Sequence, residues 1–159
     1  LDYLQKHDPI KLISDFMSQI EKLSTITDDW WIEYSFPLCI YTEEQLKLLE
    51  GRLATPCQIH LKNAVTFNTK MELLPCDMYI NQQLGQFGRD FCSYQEFLSV
   101  TRGTDYSKTM GAIRKLPSDE CTKCKHLSVC YGGCPVLWKN YSFDALKEFK
   151  EKRIANSNT

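Results

Sequence analysis

The sequence predicts an α+β fold in which short helices and a β-hairpin accompany a cysteine-rich loop. Apolar residues at three- and four-residue spacing over residues 9–23 are typical of an amphipathic helix. Two short apolar runs within residues 64–76, separated by an Asn-containing turn, are typical of a hairpin. Four of the eight cysteines lie between Cys121 and Cys134 in the spacing C-x2-C-x5-C-x3-C, which predicts a metal-binding loop.

Composition places the 159-residue chain among ordinary folded proteins, since 43% of its residues are hydrophobic and 25% are charged. A net charge of −1 gives no reason to expect binding to nucleic acid or to a membrane surface. No apolar run is long enough for a transmembrane helix, and no signal peptide is visible, so we expect a cytoplasmic protein. The first residue is Leu rather than Met. We therefore expect a fragment whose N-terminal part is missing.

The N-terminal third reads as helix, strand and helix. The first helix covers residues 9–23, and the aromatic and aliphatic run over residues 30–40 predicts a strand. Thr42 and Gln45 form a capping-box pattern that starts a second helix, ending near residue 53. A single helix–strand unit cannot bury both its faces, so the missing part is expected to pack against it.

The remaining elements follow in order. Residues 57–61 and 64–68 read as strand, and residues 71–76 as the hairpin partner, with Asn68 placed in the turn where a left-handed conformation is needed. Residues 85–88 read as a loop. Three further helices are then expected, over residues 93–100, 106–115 and 144–155.

The loop at 121–134 leaves several kinds of site open. Thiolates are soft ligands that suit zinc or an iron–sulfur cluster, and the short gaps are cramped for one tetrahedral zinc. Iron–sulfur is favoured if Cys134 binds a different cluster from the other three cysteines. Disulfides would need an exporting context, which the sequence does not show. Gly132 and Gly133 let the backbone curl tightly, and Pro135 prevents a helix from continuing into the loop.

Six cysteines together resemble the pattern of the SPASM domain, the C-terminal module that holds auxiliary clusters in many radical S-adenosylmethionine enzymes. The pattern is Cys57-x18-Cys76, a gap, and then the four cysteines of the loop. Residues 132–135, Gly-Gly-Cys-Pro, resemble the family's GGCP turn, and residues 75–77 resemble its hairpin exit. The resemblance implies two domains. Residues 1–55 would be the last helix–strand unit and linker helix of a partial (β/α) barrel, and residues 56–159 a SPASM-like iron–sulfur domain.

The resemblance implies one or two auxiliary [4Fe–4S] clusters. By position it assigns three cysteines to each: Cys57, Cys76 and Cys134 to the first cluster, and Cys121, Cys124 and Cys130 to the second.

Both sets lack an evident fourth cysteine. No cysteine follows Cys134, where the family has its last ligand, so Asp144 or His126 could complete the second cluster, or its iron could stay open. For the first cluster, Cys39 or Cys92 could serve, although an ordinary buried thiol is expected at both positions. At the family's hairpin glycine this chain has Met71, and Asn68 is expected to take over the turn.

The resemblance implies an auxiliary cluster domain of a radical S-adenosylmethionine oxidoreductase that modifies a peptide or protein, supporting electron transfer and substrate positioning. The C-x3-C-x2-C loop of the catalytic cluster is absent from these residues. S-adenosylmethionine and a third cluster would belong to the missing part, and no residue here is expected to be catalytic. Expected partners are the peptide or protein substrate and a redox donor protein, with no nucleic acid and no membrane. The alternative is a zinc-stabilised protein-interaction module without redox function.

Overall fold

The protein is described by a computed structural model that covers residues 8–33, 36–53, 56–139, 141–148 and 151. Its helices and one small antiparallel sheet confirm the predicted α+β class. The chain divides into two compact units: Leu1–Cys57 with Leu116–Thr159, and Gln58–Lys115. The predicted boundary after residue 55 separates two proposed functional modules, and it stays a prediction.

Helix α1 (Pro9–Ser24) confirms the predicted amphipathic helix at the start of the first unit. Ile13, Met17 and Ile20 repeat at helical spacing and are all buried. They join the core of this unit, whose other buried members are Trp30, Ile32, Leu38, Ile40, Tyr41, Leu49 and Leu146. The helix therefore forms because one stripe of its surface is buried against residues from both ends of the chain.

The strand predicted over residues 30–40 is wrong in its described part. Ile32 forms only an isolated parallel bridge with Leu53, and Leu38–Ile40 is a 3₁₀ turn. Residues 34 and 35 lie outside the described residues. Pro37, at φ −58°, precedes the turn and has no amide N–H for strand pairing. The apolar run fills the core through its side chains instead of pairing in a sheet.

Helix α2 (Glu43–Leu49) begins with the predicted capping box. The Gln45 amide donates to Thr42 Oγ1 at 3.2 Å, and the Thr42 amide donates to Gln45 Oε1 at 3.0 Å. The helix ends before the predicted limit near residue 53. Gly51 adopts φ +72° just beyond it, a left-handed conformation that a helix cannot include.

The second unit begins with helix α3 (Gln58–Leu61), where a strand over residues 57–61 was predicted. That prediction is wrong. Ile59 is the buried residue of this turn, and its carbonyl accepts a hydrogen bond from Arg114 Nε at 2.7 Å. Lys62 follows at φ +58°, which ends the helix.

A three-stranded antiparallel sheet follows in the order β1 (Thr66–Phe67), β2 (Glu72–Leu74) and β3 (Gly85–Gln86). The predicted hairpin is confirmed by the β1–β2 pairs Thr66–Leu74 and Phe67–Leu73. Strand β3 replaces the start of the loop predicted at 85–88, because its backbone pairs with Glu72 and Leu73.

The hairpin turn differs from its prediction in one respect. The left-handed residue is Met71, at φ +57°, and not Asn68. Asn68 stabilises the turn through its side chain instead: Oδ1 accepts the amides of Lys70 at 2.9 Å and Glu72 at 3.0 Å. Met71 thus adopts, in this turn, a conformation that suits glycine better.

Helices α4 (Tyr94–Arg102) and α5 (Thr104–Ile113) confirm two further helices at slightly different bounds. Ser93 Oγ accepts the Glu96 amide at 3.3 Å and caps α4. Four phenylalanines of this unit contact one another in tilted and edge-on pairs: Phe67, Phe87, Phe91 and Phe97. Phe91 is the buried member of this aromatic cluster and packs next to Gly85 of β3, whereas Phe67 and Phe87 are exposed.

The last helix is described over residues 143–148 and begins one residue before its predicted start at residue 144. Leu146 is buried in the core of the first unit, and residues 149, 150 and 152–155 of the predicted helix lie outside the described residues. None of the helices in the described ranges has the length and apolar character that crossing a bilayer requires.

Candidate metal centre

The cysteine loop is built from consecutive single turns. The Ser118 hydroxyl accepts the Glu120 amide at 3.2 Å and starts the 3₁₀ helix Asp119–Lys123. Helix α6 (Leu127–Cys130) follows. Backbone hydrogen bonds link the turns through the cysteines: Cys121 N to Ser118 O at 3.1 Å, Cys124 N to Cys121 O at 3.2 Å, and Cys130 N to His126 O at 2.8 Å. The short spacings of the motif thus place successive cysteines on successive turns.

A left-handed segment of three residues ends these turns. Tyr131, Gly132 and Gly133 have φ values of +46°, +84° and +76°. The Trp138 indole Nε1 donates to the Gly132 carbonyl at 2.8 Å and holds the segment in place. The predicted tight curl at the two glycines is therefore present, although it starts one residue earlier, at a tyrosine.

The two glycines also permit close approaches that no other residue would allow. A Cβ atom at Gly133 would lie 2.7 Å from the backbone nitrogen of Pro37. A Cβ atom at Gly132 would lie 2.6 Å from Cδ of Pro117. The loop is thus packed directly against the backbone of the segment 36–40, which is distant in sequence.

Three cysteines of the loop line one cavity of about 120 Å³ together with a fourth cysteine, Cys39. The other lining residues are Pro37, Glu120, His126, Leu127, Gly132 and Phe143. Each loop cysteine is partly buried, whereas Cys39 is exposed between the buried residues Leu38 and Ile40. The wall of the cavity therefore combines four thiols with a mostly apolar surround.

Backbone amides donate to two of these sulfur atoms. The Leu38 amide donates to Cys130 Sγ at 3.3 Å, and the His126 amide donates to Cys124 Sγ at 3.4 Å. Hydrogen bonds of this kind adjust the properties of a metal bound to the sulfur.

The pKa of the Cys121 thiol depends on burial and on the groups around it. Burial raises the pKa of the Cys121 thiol, and the neighbouring Cys130, Cys124 and Glu120 raise it further, while a hydrogen bond from the Ser118 backbone opposes them. A bound cation reverses this balance, because it stabilises thiolates that otherwise repel one another.

The predicted second-cluster set, Cys121, Cys124 and Cys130, is therefore brought to one cavity. Cys134 is partly buried and is not among the residues that line it. Cys57 and Cys134 belong to the first compact unit and Cys76 to the second, so the grouping of these three on one cluster stays a prediction.

Only one of the two residues predicted to complete the second cluster lies at the cavity. His126 lines the cavity, whereas Asp144 is exposed and is not among its lining residues. Cys39 and Cys92 are both exposed, so the expectation of buried thiols is wrong at both positions. Cys39 was predicted only as a possible ligand of the first cluster, because its place at this cavity depends on contacts with residues about 90 positions away that no local pattern reveals.

All eight cysteines lie in described parts of the chain, and no two of them form a disulfide. Across the described ranges, no three His, Cys, Asp or Glu side chains are arranged to hold one metal ion.

Comparison with known proteins gave no match: no family model, curated protein or solved structure proved similar to this chain.

Proposed function

We propose that this chain is the auxiliary iron–sulfur part of a radical S-adenosylmethionine enzyme that modifies a peptide or protein. The observation that supports the proposal is the convergence of Cys121, Cys124 and Cys130 on one cavity. When bound, a [4Fe–4S] cluster there would exchange single electrons or ligate substrate at an open iron.

The donor set fits such a cluster by its chemistry. Thiolates are the usual ligands of iron–sulfur clusters, and amide N–H donors to the sulfurs of Cys124 and Cys130 are one of the means by which proteins adjust cluster potential. The cavity wall is otherwise mainly apolar, which limits the access of water to the thiolates.

A zinc site and an iron–sulfur cluster require different distances between their cysteine sulfurs. Ligands of a single tetrahedral zinc have sulfurs less than about 4 Å apart, given Zn–S lengths near 2.3 Å. A cubane cluster binds each thiolate at a separate iron and leaves the sulfurs about 6–7 Å apart. Four thiols that line one cavity of about 120 Å³ offer a cubane cluster more room than a single zinc ion needs, and the iron and zinc contents after reconstitution distinguish the two.

Access to the site is consistent with a role in handling substrate or electrons. A larger cavity of about 320 Å³ adjoins the first and shares Cys39, Glu120 and Phe143 with it. A side chain or short peptide segment that entered this space would approach the thiols without unfolding the loop. On this proposal the partners are the substrate and an electron donor, and S-adenosylmethionine is bound elsewhere in the enzyme.

Anaerobic reconstitution tests the proposal. We expect the chain to turn brown on incubation with ferrous iron and sulfide, because the cavity offers soft thiolates, and to retain both elements after gel filtration. Cys92→Ala is the matched control, since Cys92 is exposed and lies in the other compact unit. It should retain the same iron content as the unaltered chain. A colourless protein that binds stoichiometric zinc and no iron would establish the interaction module instead.

A further inference from the structure

We propose that Cys39 is the fourth thiolate ligand of the site formed by Cys121, Cys124 and Cys130. The inference rests on the proposed function, because it names a ligand of the same cluster. It assigns the missing ligand to the segment 36–40, which precedes the SPASM-like region, and not to a residue that follows Cys134.

Cys39 lines the same cavity as the three loop cysteines, and the pair Leu38 and Ile40 on either side of it is buried in the core of the first unit. Because its two neighbours are anchored, the Cys39 side chain is held at the edge of the cavity and cannot move far from it.

The segment 36–40 is also attached directly to the cysteine loop. The Leu38 amide donates to Cys130 Sγ at 3.3 Å, so the residue before Cys39 already contacts one thiol of the site. Gly133 approaches the backbone of Pro37 so closely that a Cβ atom there would lie 2.7 Å from the Pro37 nitrogen. Two independent contacts thus fix the segment against the loop at the cavity.

The other possible ligands at the cavity suit an iron–sulfur cluster less well than a thiol. Glu120 Oε1 accepts a hydrogen bond from Lys147 Nζ at 2.8 Å within an ion pair. Its carboxylate is also a harder ligand than iron–sulfur sites prefer. His126 offers an imidazole, which occurs in iron–sulfur sites less often than a thiolate. Cys39 supplies the donor type that already forms the rest of the site.

Thiol protection in the unaltered chain tests the inference directly. Tryptic cleavage gives a peptide of residues 23–47 with Cys39 as its only cysteine, and a peptide of residues 90–102 with Cys92 as its only cysteine. In the cluster-loaded chain, Cys39 should react with iodoacetamide at least about tenfold more slowly than in the metal-free chain, since a metal-bound thiolate is not a free nucleophile. The exposed Cys92 should react at the same rate in both.

Variants give a second readout that does not depend on reactivity. Cys39→Ala should lose iron on mild oxidation and show a changed electron paramagnetic resonance spectrum, because one iron would lack its protein thiolate. His126→Ala and Cys92→Ala should keep the spectrum and iron content of the unaltered chain. If His126→Ala changes the spectrum and Cys39→Ala does not, the fourth ligand is the imidazole and the inference is wrong.

The two proposals fail in different ways. If the unaltered chain takes up no iron and sulfide, the proposed function fails. If it takes up both and Cys39 reacts equally fast in the loaded and metal-free chain, the function stands and the Cys39 assignment is overturned.

Discussion

The hairpin at residues 66–74 and the cysteine loop at residues 118–134 are held in shape by different forces. Strand β2 pairs on both sides, and its Leu73 and Leu74 are 1% and 4% exposed. The loop has no buried residue in the 3₁₀ helix Asp119–Lys123 and none in α6. Burial of apolar surface can stabilise the hairpin, whereas it contributes little to these turns of the loop.

On the proposed function, the contrast bears on how each region folds. The cysteine loop, whose 3₁₀ helix and α6 bury no residue, would gain free energy of folding from its ligand bonds, because an unfolded chain has no preformed site. The hairpin should keep its structure whether or not metal is bound.

The largest effect is expected from removal of one ligand. In the reconstituted chain, Cys124→Ala should destabilise the loop by more than about 4 kcal/mol, the range in which loss of a metal site falls. Cys92→Ala should change stability by less than about 0.5 kcal/mol, as for other exposed side chains. Amide hydrogen exchange measures the loop and the hairpin separately, and only the loop should lose protection.

Equal and small effects of Cys124→Ala and Cys92→Ala would show that the loop folds without metal. A loss of protection in the hairpin as large as in the loop would show that the two regions unfold together.

A smaller effect is expected from the close approach at Gly133. Gly133→Ala should destabilise the first unit by about 3 kcal/mol, because the new Cβ meets the Pro37 backbone and the φ of +76° is strained for alanine. Gly88 is the matched control, since it has φ +86° but no atom within 4 Å of its Cβ position. Gly88→Ala should cost about 1 kcal/mol, from backbone strain alone.

Thermal unfolding of both glycine variants in the reconstituted chain, in which the loop is expected to be folded, gives the comparison. If the two substitutions cost the same, the approach of Gly133 to Pro37 is not tight, and one of the contacts that hold Cys39 at the cavity is absent.

Features set by neighbouring residues could be predicted from the sequence. The capping box of Thr42 and Gln45 and the hairpin around Asn68 both formed, because their hydrogen bonds lie within a few residues of chain. The clustering of Cys121, Cys124 and Cys130 followed from their short spacing for the same reason.

Features set by distant contacts could not be predicted. The hydrogen bond from the Leu38 amide to Cys130 Sγ joins residues 92 positions apart, so no local sequence pattern predicts it. Strand β3 likewise depends on pairing with β2, while its own two residues, Gly85 and Gln86, have weak strand preference. The apolar run at 30–40 has the composition of a strand, but no described strand pairs along it. Its side chains pack in the core of the first unit instead.

The smallest effect concerns the hairpin alone and tests its independence from the metal site. Met71 adopts φ +57° and is 46% exposed, so its backbone is strained while its side chain contributes little packing. Met71→Gly should therefore be more stable than Met71→Ala by about 1 kcal/mol, because only glycine removes the left-handed strain. Lys108, exposed in the middle of α5, is the control, since there glycine should be less stable than alanine by about 1 kcal/mol. Chemical denaturation of the four variants, each with and without bound metal, measures both differences. If the sign at position 71 matches that at position 108, the turn is not left-handed; if the difference at 71 changes with metal loading, the hairpin is coupled to the cluster site.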